Sequence, residues 1–242
     1  MAAASLAQVH RGRLRDGRDV AVKVLYPGIE DEVRRDLGLV RFMLPLVLRA
    51  RRGLEIESVV DEIARTVPGE LDLTVEARNA ERVGAVLRHR GDVVVPGIVW
   101  EWTTRRVLVM DYVDGIKITD RRALRAAGID PNAVAEIVVD AYCEQVLEAG
   151  FFQADPHPGN LLVLPGPRLA QLFLGTTSSE RGYADFRLVA QADHRLQAAT
   201  AANALTVPGD VTLVARVMGT LSGIGRQLDS RVNVSLSMLL HA

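Results

Sequence analysis

Lysine is scarce in this chain of 242 residues. Only Lys23 and Lys117 are lysines, although the basic residues number 29 in all. Arginine therefore serves wherever positive charge alone is needed. A lysine that persists against this bias is expected where a compact, single-point ammonium group is required.

Cysteine and long apolar runs are also scarce. Cys143 is the only cysteine, which excludes an internal disulfide and a thiolate metal cluster within one chain, and favours a reducing, cytoplasmic compartment. No run of about 18 apolar residues is present, so the sequence predicts no transmembrane segment. Residues 1–4 lack the basic and apolar regions of a signal peptide.

Strong net charge is absent as well. The formal charge is -1, so the balance gives no reason to expect nucleic acid or an acidic membrane surface as a partner. Hydrophobic residues make up 48% and charged residues 24% of the chain, as in ordinary globular proteins. A chain of this size can bury the core of one large domain or of two lobes.

The order of predicted elements indicates an α+β fold. An Asp16-Gly17 turn joins two predicted strands at residues 8–14 and 19–25, and helices are predicted at 30–52 and at 57–87, the latter broken at Pro68-Gly69. Further strands are predicted at 93–95, 99–102 and 106–112. A helix from Pro131 to Gly150 follows, then strands at 161–164 and 168–173, and helix beyond 184. We expect a β-rich small lobe, residues 1–115, and a helical large lobe, residues 116–242, with a cleft between them.

The segment Ala154-Asp155-Pro156-His157-Pro158-Gly159-Asn160 carries the most specific pattern. Asp155 and Asn160 lie five positions apart, which is the spacing of a kinase catalytic loop. There the carboxylate accepts the substrate proton and the amide oxygen binds a metal ion. A proline-rich turn capped by Asp155 is the alternative, and on this segment alone the two interpretations are equal.

Lys23 lies in Val20-Ala21-Val22-Lys23-Val24, which is close to the Val-Ala-Ile-Lys pattern whose lysine pairs with nucleotide phosphates. A solvated strand lysine is the alternative. A phosphate-binding lysine needs an anion to hold it, and Glu76 is the best candidate. Without the other motifs, Glu76 and the nearby Glu70 and Asp72 would be a solvated face.

Two further segments are candidates for nucleotide contacts. Small residues ahead of the first strand allow the backbone to approach phosphates, although a disordered terminus is the alternative. At residues 108–115 an edge strand leads into a hinge, where the backbone of Asp111 and Val113 is placed to read an adenine edge. A core strand ending in a turn would look the same. The candidates at the chain start are Ala2, Ala3, Ala4, Ser5, Leu6, Ala7, Gln8 and Val9.

Together, and in this order, these motifs resemble the UbiB-like, aarF-domain atypical kinases from residue 1 to about residue 175. The resemblance implies a kinase-like bilobal fold with ATP and Mg²⁺ as cofactors. It makes Lys23 a phosphate contact paired with Glu76, Asp155 the catalytic carboxylate and Asn160 a metal ligand. The residues at the chain start replace a glycine-rich loop.

The resemblance has further implications for activity and partners. Glu70 and Asp72 match an additional acidic motif of the family, which works with an N-terminal helical extension. The family is linked to ubiquinone and isoprenoid-lipid metabolism, so small lipids and proteins of that pathway are expected partners beside the nucleotide. Its activity is more like ATP hydrolysis or small-molecule phosphorylation than protein phosphorylation. Peripheral membrane association is implied by the resemblance only.

Three departures from the family pattern bear on activity. The N-terminal extension and the first strand of the small lobe are expected to be absent, the C-terminal part is short, and we expect a truncated chain. Most important, residues 168–175 place Phe173 where the family has the aspartate of Leu-Asp-Phe-Gly. Phenylalanine offers no oxygen to Mg²⁺. We therefore expect impaired phosphoryl transfer, with a non-catalytic scaffold or degenerate remnant as one alternative and an active ATPase that uses Asp185 instead as another.

Overall fold

The fold is known from a computed structural model. It describes residues 2–3, 6–50, 71–153, 156–166, 168–172, 183–185 and 209–230, with side chains at 6–39, 42–43, 71–153, 156–166, 168–172 and 217–230. Strands and helices are numbered below in chain order.

The described residues form ten strands in three sheets. The strands are β1 Ala2–Ala3, β2 Ala7–Arg13, β3 Asp19–Leu25, β4 Val93–Val94, β5 Val107–Asp111, β6 Ile116–Lys117, β7 Phe151–Gln153, β8 Leu161–Leu164, β9 Arg168–Gln171 and β10 Tyr183–Asp185. The first sheet has the order β1-β2-β3-β5, the second β4-β9-β8-β6, and β7 pairs with β10 alone. Among these described strands, β4 and β9 pair in parallel and the other pairs are antiparallel.

Five α-helices accompany these sheets in the part of the chain that the structure describes. They are α1 Ile29–Ala50, α2 Leu73–Val86, α3 Arg121–Ala126, α4 Pro131–Cys143 and α5 Gly209–Gln227. A π-helical turn, Glu144–Glu148, continues α4, and Gly150 follows it with φ of 64°. Pro131 occupies the start of α4, where the carboxylate of Asp130 accepts from the backbone N–H of Asn132 at 3.0 Å.

The described residues form two large apolar cores and a small third cluster of Val20, Val99 and Val109. The small-lobe core contains Leu25 and Leu108, and the large-lobe core contains the predicted α4 stripe. Helix α2 belongs to both, because Leu73 packs into the small-lobe core and Val83 into the large-lobe core. This helix therefore connects the β-rich lobe to the helical lobe. The four residues of the stripe, all buried, are Val134, Val138, Tyr142 and Val146.

The β2–β3 hairpin is confirmed. Gly17 has φ of 90°, in the left-handed region that glycine tolerates, and its N–H donates to the carbonyl of Leu14 at 3.0 Å. The carboxylate of Asp16 accepts from the N–H of Arg18 at 2.9 Å, which closes the turn. The Asp-Gly signal thus fixes a register in which Val9 lies opposite Lys23.

Three sequence predictions about strands and helices are wrong. Residues 99–102 do not form a strand: Trp100–Trp102 is a 3-10 turn, closed by the N–H of Thr103 donating to the carbonyl of Trp100 at 3.2 Å. The first strand of the small lobe is not wholly absent, because Ala2 and Ala3 pair with β2. Asp185 is in β10 rather than in a helix, since pairing with β7 outweighs the helical pattern.

No helix in the described part of the chain is both long enough and apolar enough to cross a membrane.

Candidate functional site

A buried ion pair joins the small-lobe sheet to α2. The ammonium Nζ of Lys23 lies 2.8 Å from Oε1 and 2.7 Å from Oε2 of Glu76. Lys23 is 1% exposed and Glu76 2% exposed. Lys23 is on β3, a central strand with β2 and β5 on its two sides, so its backbone is held by hydrogen bonding on both edges. The structure thus brings together the two residues that the sequence predicted to pair.

The start of α2 fixes the glutamate. The carboxylate of Asp72 accepts from the N–H of Thr74 at 3.0 Å and from its hydroxyl at 2.6 Å, which caps the helix. Partial burial raises the pKa of Asp72, but the hydrogen bonds from Thr74 outweigh it and hold that pKa below its ordinary value. Glu76 is in the first helical turn, where the helix dipole favours a carboxylate. Asp72 therefore acts as a cap here, and Glu70 lies outside the described residues.

The stability of the fold does not by itself explain the buried ion pair of Lys23 and Glu76. Removing two charges from water costs several kcal/mol per ion, on the order of what their attraction returns, and apolar replacements are often as stable. A buried ion pair of this kind is therefore a candidate for a functional role. The pair presents a fixed ammonium group on the inner face of the small-lobe sheet.

The alanine-rich segment lies next to Lys23 in the sheet. Ala7 and Val9 are buried, Leu6 is half-buried and Gln8 is exposed, so the side chains alternate as in a strand. Ala2 and Ala3 pair with Val9 and Gln8 respectively. Ala4 and Ser5 lie outside the described residues.

The predicted hinge follows β5, the last strand of the small-lobe sheet. Tyr112 donates its N–H to the carbonyl of Asp19 at 3.1 Å, so its neighbour Asp111 directs its N–H and carbonyl away from β3. The N–H of Asp111 donates to the carbonyl of Gly97 at 2.9 Å. Asp111 is exposed and Val113 half-buried. Of the backbone groups predicted to read a base, the Asp111 N–H is therefore already used.

The described part of the catalytic loop, residues 156–160, forms a tight turn. Ring nitrogen Nδ1 of His157 accepts from the N–H of Gly159 at 3.0 Å, and the carbonyl of His157 accepts from the N–H of Asn160 at 2.9 Å. Asn160 is 6% exposed, and its amide nitrogen has no hydrogen-bond partner among the described residues. Leu172, at the end of β9, donates its N–H to the carbonyl of Asn160 at 2.7 Å.

The described residues fit a metal ion only in part. Asn160 is buried and carries an amide oxygen, the kind of ligand that Mg²⁺ prefers. Ala154, Asp155 and Phe173 lie outside the described residues. Within the described ranges no three His, Cys, Asp or Glu side chains cluster as a metal site would require. The chain thus offers one neutral ligand here, the carboxylate of Asp155 in the adjoining sequence, and a hydrocarbon at position 173.

Asp185, the alternative carboxylate of the sequence analysis, is the last residue of β10. It lies opposite Phe151 in the β7–β10 pair, whereas Tyr183 lies opposite Gln153. Gln153 is the end of β7 that leads into the catalytic loop, so Asp185 is at the far end of the pair.

The sequence predictions missed a group of buried glutamines behind the loop. Gln145, Gln153 and Gln171 are 3% exposed or less. The available signal was their position: Gln153 ends a strand of two phenylalanines, two residues before Asp155, and Gln171 stands two residues before Phe173.

Residues 1–203 match the family model of the ABC1 atypical kinase-like domain. The chain belongs to this family. The resemblance to the UbiB-like, aarF-domain kinases is thereby confirmed, and so is the α+β, kinase-like fold with a β-rich N-terminal lobe.

Curated relatives of this ABC1-family chain include proteins named as kinases. It is 41% identical to AarF domain-containing protein kinase 1 of Xenopus tropicalis over 69% of its own length and 32% of the relative's. It is 38% identical to the protein ACTIVITY OF BC1 COMPLEX KINASE 3, chloroplastic, of Arabidopsis thaliana, over 80% of its own length and 28% of the relative's. An uncharacterized protein of Synechocystis is 39% identical over 80% of this chain and 29% of that protein. The chain thus spans about a third of the length of the curated relatives it matches.

A solved structure supports the fold alone. A Mycobacterium tuberculosis protein, determined in complex with erythromycin, matches 98% of this ABC1-family chain and 74% of its own chain with a TM-score of 0.75. The two sequences are 19% identical.

Proposed function

We propose that this ABC1-family chain binds ATP in the cleft between its lobes, with Lys23 contacting the phosphates, and that its phosphoryl transfer is impaired. The observation that carries the proposal is the buried pair of Lys23 and Glu76. Protein kinases require this lysine–glutamate pair to be formed before they transfer a phosphoryl group. Here the pair is formed, with the ammonium of Lys23 contacting both carboxylate oxygens of Glu76.

The proposed impairment of phosphoryl transfer concerns the metal-binding part of the site. Magnesium, when bound, would offset the charge of the nucleotide phosphates. Asn160 would hold it, and Asp155 would be the catalytic carboxylate. Phe173 supplies no oxygen, so a second carboxylate is lost. We expect nucleotide binding that depends mainly on Lys23 and little on Mg²⁺.

Other parts of the proposal concern the rim of the cleft. We place the small lobe at residues 1–115 and the large lobe at 116–242, with the alanine-rich segment of residues 2–9 over the phosphates. The carbonyl of Asp111 and the backbone of Val113 would contact the adenine. Glu70 and Asp72 would form the acidic motif that meets an N-terminal extension in longer relatives.

A melting-temperature experiment tests the binding proposal. ATP at about 100 times its Kd stabilises a protein by roughly 2.7 kcal/mol, which for this size is a rise of about 5–10 °C in Tm. We expect this rise with ATP or ADP, with or without Mg²⁺, and its loss in the Lys23→Met, Glu76→Leu double variant, which removes both charges of the buried pair. Lys117→Met is the matched control, because Lys117 is the other lysine and is exposed on β6. A full rise in the double variant, or a rise that requires Mg²⁺, would contradict the proposal.

Restoring the carboxylate tests the impairment. In Phe173→Asp we expect Mg²⁺ to add to the stabilisation by ATP and ATP hydrolysis to increase, and we expect Asp155→Asn to remove the increase. The wild-type chain turning over ATP at about 1–100 s⁻¹, the range of ordinary kinases, would show that phosphoryl transfer is intact. Asp185→Asn is expected to leave all of these values unchanged.

The proposed substrate class follows the family resemblance. We expect ATP hydrolysis or phosphorylation of a small molecule, at or near isoprenoid-lipid or ubiquinone metabolism, and peripheral association with membranes. A short-chain ubiquinone analogue should raise Tm, and the chain should sediment with neutral phospholipid vesicles. Neither effect would be seen if the lipid link were wrong.

A non-catalytic scaffold is the second candidate, and Phe173 is the observation that favours it. A scaffold needs the kinase fold but no nucleotide. It predicts a folded, cooperatively melting protein whose Tm does not change with ATP or ADP.

A further inference from the structure

Four buried polar side chains meet in the large lobe behind the catalytic loop. Tyr142 is on α4, Gln145 is in the π-helical turn that continues it, Gln153 ends β7 and Gln171 ends β9. Each is 3% exposed or less. Three separate parts of the chain therefore contribute to one polar cluster inside an apolar core.

Gln171 is the centre of this cluster. Its amide nitrogen donates to the side-chain oxygen of Gln153 at 2.9 Å and to the hydroxyl of Tyr142 at 3.3 Å. Its own amide oxygen accepts from Gln145 at 3.3 Å. The first of these bonds has the ordinary N–H···O length and the other two are long, so the bond between Gln171 and Gln153 is the strongest.

The end of β9 therefore holds both ends of the catalytic loop. Gln171 bonds to Gln153, two residues before Asp155. The next residue, Leu172, donates its N–H to the carbonyl of Asn160 at 2.7 Å. These two bonds join the end of β9 to Gln153, which precedes the catalytic loop in the sequence, and to Asn160, its last residue.

Packing alone would not require these amides. Apolar side chains of similar volume fill a core without the penalty that a partly satisfied polar network carries, whereas a buried amide that bonds in one direction restricts the backbone that carries it. The bond between Gln171 and Gln153 is directional and lies at the ends of two strands. Its effect falls on the residues that follow each strand.

We propose that Gln171 is a positioning residue, which acts through Gln153 to fix the backbone of the catalytic loop. The importance of Gln171 for phosphoryl transfer rests on the function proposed above. The effect of Gln171 on loop geometry does not, so an experiment can reject the positioning role and the proposed function separately.

Hydrogen exchange, followed residue by residue by NMR on the whole chain, tests this. Three hydrogen-bonded amides report on the loop: those of Gly159, Asn160 and Leu172. In Gln171→Met they should exchange at least about fivefold faster, since the loss of one buried hydrogen bond changes a local opening equilibrium by about that factor. Gln145→Met is the matched control, because it removes a buried glutamine of the same network without touching the loop, and it should leave these three amides unchanged.

Several outcomes would overturn the proposal. Unchanged exchange at these amides, equal acceleration in α2 and the loop, or equal effects of Gln171→Met and Gln145→Met would each show that Gln171 has only a general structural role. If Gln171→Met does not fold, Gln153→Met removes the same bond from its other side and should give the same loop-specific acceleration. Failure of both to fold while Gln145→Met folds would also reject positioning in favour of a folding role. Wild-type protein that does not bind ATP would reject the proposed function and leave the exchange result standing.

Discussion

Breaking the pair of Lys23 and Glu76 on one side should destabilise the fold strongly. Lys23→Met would remove the ammonium beside the carboxylate of Glu76, which is 2% exposed, and Glu76→Leu would remove the carboxylate beside the ammonium of Lys23, which is 1% exposed. Removing one partner of a buried ion pair costs about 3–5 kcal/mol. This is a large part of a typical total stability of about 5–15 kcal/mol.

Removing both charges should restore stability. A buried ion pair replaced by apolar residues of similar volume is often neutral or up to about 1–4 kcal/mol more stable. The Lys23→Met, Glu76→Leu double variant should therefore have a free energy of unfolding close to that of the wild type. This value should be at least about 3 kcal/mol higher than in either single variant. Such a result would mean that the pair is kept for function and not for stability.

Urea unfolding followed by circular dichroism measures these free energies. Arg34→Met is the control for loss of an ion pair, because the Arg34–Asp31 pair spans 3.0 Å with side chains 78% and 73% exposed. An exposed pair is worth about 0–1 kcal/mol, so this variant should unfold like the wild type. Single variants within about 1 kcal/mol of wild type, or a double variant no better than the worse single one, would refute the reasoning.

Three further predictions follow from packing and titration. A Cβ at Gly115 would lie 3.0 Å from the nearest side-chain atom of β8, so Gly115→Ala should lower the free energy of unfolding by about 1–3 kcal/mol in urea. Burial, and to a lesser degree a neighbouring carboxylate, raises the pKa of the Cys143 thiol to about 11, so a thiol reagent at pH 8 should modify the unfolded but not the folded protein. Hydrogen bonds from Arg13 and Arg11 lower the pKa of Asp19 to about 2. The unfolded state then binds more protons, so Asp19→Asn should lose stability above about pH 4, and its difference from wild type should vanish as pH falls through about 2.

A specific experimental result would contradict each of these three predictions. Gly91→Ala is the control for Gly115, because nothing lies within 4 Å of a Cβ there, and equal effects of the two changes would remove the packing argument. Stoichiometric modification of Cys143 in the folded protein would contradict its burial. A difference between Asp19→Asn and wild type that grows below pH 3 would reverse the expected sign.

The sequence predicted most of what local patterns determine. The hairpin follows from Asp16-Gly17, and the pairing of Lys23 with Glu76 follows from their motifs although 53 positions separate them. The strand predicted at 99–102 was wrong because two tryptophans favour strands on average, whereas the bonds from Val99 to Val109 and from Thr103 to Trp100 turn the chain here.

Other features required the tertiary structure. The cluster around Gln171 joins three elements that are distant in sequence, and no single segment shows that these glutamines face one another. The same holds for β4, whose two residues pair in parallel with β9, a strand distant from β4 in the sequence. The position of Asp185 opposite Phe151 likewise depends on a strand pairing that its helical pattern concealed.

Calorimetric titration of ATP into the wild type and into the Lys23→Met, Glu76→Leu double variant tests the central claim most directly. Both proteins are expected to fold, so a difference in affinity reports on the site alone. Charge-assisted hydrogen bonds to a phosphate contribute about 1.5–3 kcal/mol, so the double variant should bind ATP at least about tenfold more weakly, with and without Mg²⁺. Equal affinity of the two proteins would contradict the claim that Lys23 binds the nucleotide.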